Sequence, residues 1–102
     1  MFIAMNRFRI VPGQEAAFEA RWRARDSRLR ELDGFVEFRL LRGPSTPEHT
    51  LYVSHSMWQD AAAFEAWTRS PQFRHAHAGA GETRPFYVGG PQLELFESVV
   101  EG

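Results

Sequence analysis

The chain has 102 residues, of which 43% are hydrophobic and 25% charged, and these values are typical of one folded domain. We therefore expect a single domain over residues 1–102. No apolar run approaches the roughly 18 residues that a membrane span requires, and no export signal precedes the first element, so we expect a cytoplasmic protein without a membrane partner. Because cysteine is absent, disulfides, thiolate metal sites and thiol catalysis are excluded.

The formal net charge is −1, and every basic residue is arginine. The arginines are densest over residues 21–30, and Glu19, Asp26 and Glu31 lie within or beside this cluster. A nucleic-acid-binding domain normally carries an unbalanced positive charge, so we expect no nucleic-acid partner.

The first two elements follow from hydrophobic periodicity. Residues 2–11 alternate, with Asn6 on the otherwise apolar face, and this pattern predicts a strand. Residues 14–32 predict an amphipathic helix, closed by Gly34 near its C-terminal end. The predicted buried stripe of this helix consists of Phe18, Trp22, Arg25, Leu29 and Leu32.

The remaining elements are predicted as strands at 35–42, 50–58 and 91–100 and as helices at 61–69 and from Ser70 to about His77. Asp60 is the expected N-cap of the first of these helices. Ser70 followed by proline is a second helix-start signal. The order β-α-β-β-α-β predicts an α+β, ferredoxin-like sandwich with an antiparallel sheet and its helices on one face.

Two polar residues interrupt the predicted apolar faces. Asn6 lies in the middle of a strand face, and Arg25 lies on the helix stripe beside Trp22. A buried amide is costly unless it finds partners, so Asn6 either bonds nearby backbone or lines a ligand cavity. Arg25 either extends past the edge of the core or faces an anionic group of a ligand.

Aromatic and histidine residues recur at helical spacing in the second half of the chain. Phe64 and Trp67 share one face, and Phe73 and His77 share another. We expect His77 to face the sheet and His75 to point elsewhere. Each residue taken alone is compatible with a core role, but a neutral imidazole in a cavity is also a ligand for iron.

Four segments carry a family resemblance: "NRF", "FEARWRAR", "DGFVEFRLLR" and "AFEAWTRSPQFRHAHAG". They resemble the antibiotic biosynthesis monooxygenase superfamily and, within it, the IsdG-like haem-degrading monooxygenases. The resemblance implies that haem is both substrate and cofactor and that its ring is opened to a linear tetrapyrrole with release of iron. It also implies an external reductase and a homodimer in which two sheets pack into a dimeric α/β barrel.

The resemblance also implies roles for individual residues. Asn6 occupies the position of the distal amide, Trp67 that of the indole against the porphyrin, and His77 that of the axial iron ligand. The other expected haem-binding residues are Trp22, Arg25, Phe64 and Phe73. Two alternatives stay open: a cofactor-free monooxygenase of the same superfamily acting on a phenolic or quinol substrate, and a non-enzymatic haem-binding module.

Overall fold

The computed structural model describes residues 1–25, 27–77 and 85–102. A four-stranded antiparallel sheet carries the helices, which confirms the predicted ferredoxin-like α+β fold. No helix within the described ranges is long and apolar enough to cross a membrane. The elements are β1 (Phe2–Ile10), α1 (Glu15–Ala24), a 3₁₀ turn (Leu29–Glu31), β2 (Phe35–Ser45), β3 (Thr50–Trp58), α2 (Ala61–Thr68), α3 (Pro71–Ala76) and β4 (Gln92–Glu97).

Strand β1 lies inside the sheet, whose order is β2-β3-β1-β4. It pairs with β3 on one side and with β4 on the other, so Asn6 lies opposite both Ser54 and Leu93. Alternation along β1 places Ala4, Asn6 and Phe8 on the face that carries the helices. The predicted faces of this strand are therefore confirmed.

The predicted helix over residues 14–32 is wrong in its second half. Helix α1 ends at Ala24, Arg25 is extended (φ −76°, ψ 126°), and Arg28 adopts a left-handed conformation (φ 56°). The residues on the two sides of the break pack in different places, because Phe18 belongs to one apolar cluster and Leu29 to another. Tertiary packing thus overrides the continuous helical period.

The core consists of two apolar clusters at opposite ends of the helix-bearing face. Along β1, Ala4 belongs to one cluster and Phe8 to the other, and Asn6 lies between them. The first cluster is formed by Ala4, Leu29, Trp58 and Phe64, and the second by Phe8, Ile10, Phe18 and Tyr52. The middle of this face is therefore the polar part of the sheet.

Gly34 controls the turn that leads into β2. Its φ of +81° lies in the left-handed region, and a Cβ added there would lie 2.6 Å from the Cβ of Ala63 on α2. Its carbonyl accepts the backbone N–H of Gln59 at 2.8 Å. A glycine is thus required for the start of β2 to pack closely against α2.

Side-chain hydrogen bonds fasten α1 to β3 beneath the second cluster. The Tyr52 hydroxyl donates to Glu19 at 2.5 Å, and the Thr50 hydroxyl donates to Glu15 at 2.8 Å. Thr50 also shares a 2.9 Å hydrogen bond with Ser45, its partner across the sheet, and β2 runs to Ser45, beyond its predicted end at residue 42. These contacts hold α1, the helix that carries Trp22, against the sheet.

Replacing Tyr52 with phenylalanine is expected to lower the free energy of unfolding at pH 7 by about 1–2 kcal/mol, because the hydrogen bond to a charged carboxylate is lost. Burial and the hydrogen bond to Glu19 raise the pKa of Tyr52 from its ordinary value of 10.0 to about 12. A raised pKa means that the contribution of the neutral phenol is complete below pH 10 and is lost as the pH rises through about 12. Urea unfolding at pH 7, 10 and 12 should show this decline in the wild type and a weaker one in Tyr52→Phe; equal declines would contradict the assignment.

Candidate functional site

A cleft with a volume of about 950 Å³ opens between the polar middle of the sheet and the helices. It lies at the upper end of the range of about 300–1,000 Å³ that is typical of ligand pockets. The structure brings together in its lining all seven residues that the sequence predicts for a site. They are Asn6, Trp22, Arg25, Phe64, Trp67, Phe73 and His77.

Ser70 joins the two helices that supply the aromatic wall. Its hydroxyl donates to the carbonyl of Trp67 at 2.6 Å and accepts the backbone N–H of Phe73 at 3.1 Å. One side chain therefore satisfies the end of α2 and the start of α3. As a result, the rings of Trp67 and Phe73 meet edge to face, with centroids 4.9 Å apart.

His77 lies directly after α3, at the mouth of the cleft. Its ring stacks on Phe73 with centroids 4.1 Å apart and lies 6.0 Å from the Trp67 ring. Its Nδ1 is 2.8 Å from the carbonyl oxygen of Phe73, which can only accept a hydrogen bond. Nδ1 is therefore assigned the proton of the neutral ring, and Nε2 keeps its lone pair.

The surroundings of His77 favour this neutral form. Burial lowers the pKa of His77 below its ordinary value, and the positive charge of Arg25 lowers it further. The hydrogen bond to the Phe73 carbonyl acts in the opposite direction but does not reverse the shift. At neutral pH the imidazole is thus available as a Lewis base rather than as a cation.

Buried polar atoms without a hydrogen-bond partner converge on the cleft. Within the described ranges there are four such side-chain atoms, and three of them belong to cleft residues: Oδ1 of Asn6, Nε of Arg25 and Nε1 of Trp67. The fourth is Nδ1 of His55, on the opposite face of the sheet. An unsatisfied buried polar atom costs about 1–3 kcal/mol. The unpaired polar side-chain atoms of the described residues are thus concentrated in residues that line the cleft.

Sequence reasoning missed several lining residues. Ser54 lies opposite Asn6 on the neighbouring strand, and Ser56 follows on the same face. The sequence could have indicated both serines, since they share the alternating strand face of Tyr52 and Trp58, where hydroxyls are unexpected. The cleft is also lined by Phe38, Tyr87 and Leu93.

His75 does not point away from the cleft as expected, because it too lies in the lining. The described residues contain no group of three or more histidine, aspartate or glutamate side chains able to hold a metal ion. The Nδ1 proton of His77 is held by a backbone carbonyl, which leaves Nε2 of this residue as a nitrogen donor for a metal brought in by a ligand.

A family model described as antibiotic biosynthesis monooxygenase matches residues 1–79. The chain belongs to this family. A family relative from Mycobacterium tuberculosis, named heme oxygenase (mycobilin-producing), is 31% identical over 99 residues, which are 97% of this chain and 90% of the relative. A heme-degrading monooxygenase from Shouchella clausii is 33% identical over 64 residues, which are 63% of this chain and 59% of that relative's length.

Solved structures show the same antibiotic biosynthesis monooxygenase fold. The heme-degrader MhuD from Mycobacterium tuberculosis, with two hemes bound in its active site, is 27% identical and has a TM-score of 0.73, covering 100% of this chain and 99% of its own. SnoaB from Streptomyces nogalater, a cofactor-independent oxygenase, is 23% identical and has a TM-score of 0.69, and the match covers 98% of this chain and 95% of SnoaB. At that lower identity the likeness concerns the fold alone.

Proposed function

We propose that this protein is a haem-degrading monooxygenase that binds haem in the cleft and opens the porphyrin ring to a linear tetrapyrrole with release of iron. The observation that carries the proposal is the convergence of three unsatisfied polar atoms, from Asn6, Arg25 and Trp67, on a cleft with His77 at its mouth. The relatives named heme oxygenase and heme-degrading monooxygenase support the same conclusion.

The residues present fit a haem. His77 offers an unprotonated Nε2 suited to iron, and its ring orientation is held by the Phe73 carbonyl. Phe64, Trp67 and Phe73 form an aromatic wall suited to a flat apolar macrocycle. Arg25 supplies a half-buried cation for the carboxylates of the ligand.

When bound, haem supplies the iron that activates dioxygen and is also the molecule that is oxidised, with electrons delivered by an external reductase. His77 would hold the iron through Nε2, while its Nδ1–H donates a hydrogen bond to the Phe73 carbonyl. Trp67 presents its indole to the macrocycle and is supported from behind by Trp58, whose ring is stacked on it at 5.4 Å. This support allows Trp67 to act as rigid bulk against the porphyrin.

Asn6 acts in this proposal as the directed hydrogen-bond donor of the cleft. Its amide projects from a strand that is hydrogen-bonded on both sides, so its position is fixed by the sheet. The donor in this role is the Nδ2–H of the amide, whereas its Oδ1 can only accept and has no partner among the described residues. A preorganised donor stabilises charge that develops on reacting oxygen without having to reorganise.

Substituting His77 with alanine is expected to weaken haem binding strongly and to abolish turnover, because the iron loses its ligand. The matched control is His75→Ala, which removes the other histidine of the lining and should retain the Soret spectrum and most of the activity. Haem titration followed by visible absorption, before and after addition of a reductant and oxygen, measures both properties. The same five-coordinate histidine spectrum in both variants would exclude His77 as the ligand.

For Asn6→Ala we expect normal haem binding through His77 but a single-turnover rate reduced by about 100-fold or more, because a preorganised donor is lost. A purely structural asparagine predicts the reverse: lower melting temperature and lower haem affinity, with unchanged turnover per bound haem. All three quantities are measured on one preparation. A destabilised but fully active variant would contradict the donor role, and wild-type protein that binds haem and leaves it intact would favour a non-enzymatic haem-binding module.

We also propose that two copies of the chain pack through the sheet face opposite the helices, here called the back face. None of the helices in the described part of the chain packs on it, and it exposes Leu41 and Phe96 by 42% and 46%. Charged pairs flank its apolar centre, Arg7 with Glu94 near one edge and Arg39 with Glu37 near the other. A surface with both signs around an apolar centre is complementary to a copy of itself under twofold symmetry.

The back face also carries the fourth unsatisfied atom. Nδ1 of His55 is buried without a partner, and its cross-strand neighbours are Met5 and Arg39. A second copy packed on the back face would cover His55 and these neighbours.

We expect the wild type to sediment as a dimer and Val53→Glu to sediment as a monomer, because Val53 lies near the centre of the back face, next to Arg7 and Leu41. The neighbouring Arg7 should let the isolated sheet tolerate the new carboxylate. Ala17→Glu, on the exposed surface of α1, adds the same charge elsewhere and should stay dimeric. A monomeric wild type would refute the dimer, and a dimeric Val53→Glu variant would show that the interface lies on another surface.

A further inference from the structure

Arg25 has an unusual environment for a cation. Its guanidinium carbon lies 4.3 Å from the centroid of the Trp22 ring, its Nε is buried without a partner, and its side chain lines the cleft. Burial lowers the pKa of Arg25, yet a guanidinium remains protonated at neutral pH. Among the residues that the structure describes, the charge is therefore held over the aromatic face of Trp22, and the guanidinium carries further N–H donors for a ligand.

Trp22 is itself held firmly. Its ring is stacked on Phe38 with centroids 5.5 Å apart and an interplanar angle of 14°. Phe8 and Phe18 meet it edge to face at 5.9 and 6.2 Å. An aromatic ring fixed by three others is a rigid support for the flexible side chain of Arg25.

The backbone strengthens this arrangement. Arg25 is the first residue beyond α1, and its N–H donates to the carbonyl of Trp22 at 3.3 Å. Arg25 is extended rather than helical, so its side chain departs from the end of α1. Trp22 lies in the last turn of α1, close to this point. Both the main chain and the ring of Trp22 thus determine where the guanidinium lies.

We propose that Trp22 is a positioning residue that holds the guanidinium of Arg25 in place for a carboxylate of the planar ligand in the cleft. This inference rests on the proposed function and adds a specificity determinant to it: preference for a porphyrin with free carboxylates. Without the indole, the long side chain of Arg25 samples many rotamers, and fewer of them face the ligand. Trp22 therefore contributes to binding through Arg25 and not merely as apolar surface.

The test compares iron protoporphyrin IX, whose two carboxylates are free, with its dimethyl ester, in which both are methylated and uncharged. Dissociation constants are measured by Soret titration for wild type, Arg25→Gln, Trp22→Leu and the double variant. Each single substitution should weaken binding of the free acid by about tenfold and binding of the ester by less than about twofold, since the lost interaction is with a carboxylate. The double variant should lose little more than either single variant, because both act through one contact.

Two control variants sharpen the comparison. Trp22→Phe retains an aromatic face and should keep part of the preference for the free acid. This variant also provides the test if Trp22→Leu does not fold. Arg30→Gln removes an exposed arginine that does not line the cleft and should leave both dissociation constants unchanged. In the ligand-free protein, the Nε–H resonance of Arg25 should show a ring-current shift that disappears in Trp22→Leu.

The possible failures are distinct. Equal weakening of acid and ester in Trp22→Leu, or additive losses in the double variant, would overturn the positioning role while leaving haem binding intact. Failure of the wild type to bind either porphyrin would overturn the proposed function and this inference together.

Discussion

The hydroxyl of Ser70 is the contact on which the geometry of the cleft depends. It closes α2 by donating to the carbonyl of Trp67 and opens α3 by accepting the N–H of Phe73. A single helix through this region would keep Trp67 and His77 on one rigid cylinder, ten residues and nearly three turns apart. The serine-proline break instead lets the chain change direction, so that both rings reach the same cleft, 6.0 Å apart.

A second constraint concerns the distribution of polarity on the sheet. Domains of this size usually bury a continuous apolar face, but here the apolar clusters lie at the two ends and Asn6, Ser54 and Ser56 lie between them. The unsatisfied atoms of the cleft make this arrangement costly in the absence of a ligand. Violations of the core pattern at one place are typical of a functional site rather than of folding.

The sequence predicted those features that depend on local chemistry. Strand β3 and the caps Asp60 and Ser70 were predicted correctly, since alternation and capping are properties of short segments. The end of α1 was not predicted, because it depends on Leu29 packing in a different cluster from Phe18. Ser54 was missed because its hydroxyl, although unexpected on the face of Tyr52 and Trp58, does not by itself show whether that face lines a cleft or fills a core.

The asymmetry between the two sides of the cleft has a consequence for how ligands exchange. Asn6 belongs to a strand bonded on both sides, whereas His77 follows a helix of six residues, too short to be stable without its packing contacts. Segments of low local stability open far more often than the whole domain unfolds. The histidine side can therefore unwind while the sheet and its amide stay folded, and a molecule bound to both sides, as proposed for haem, would stabilise α3 against this opening.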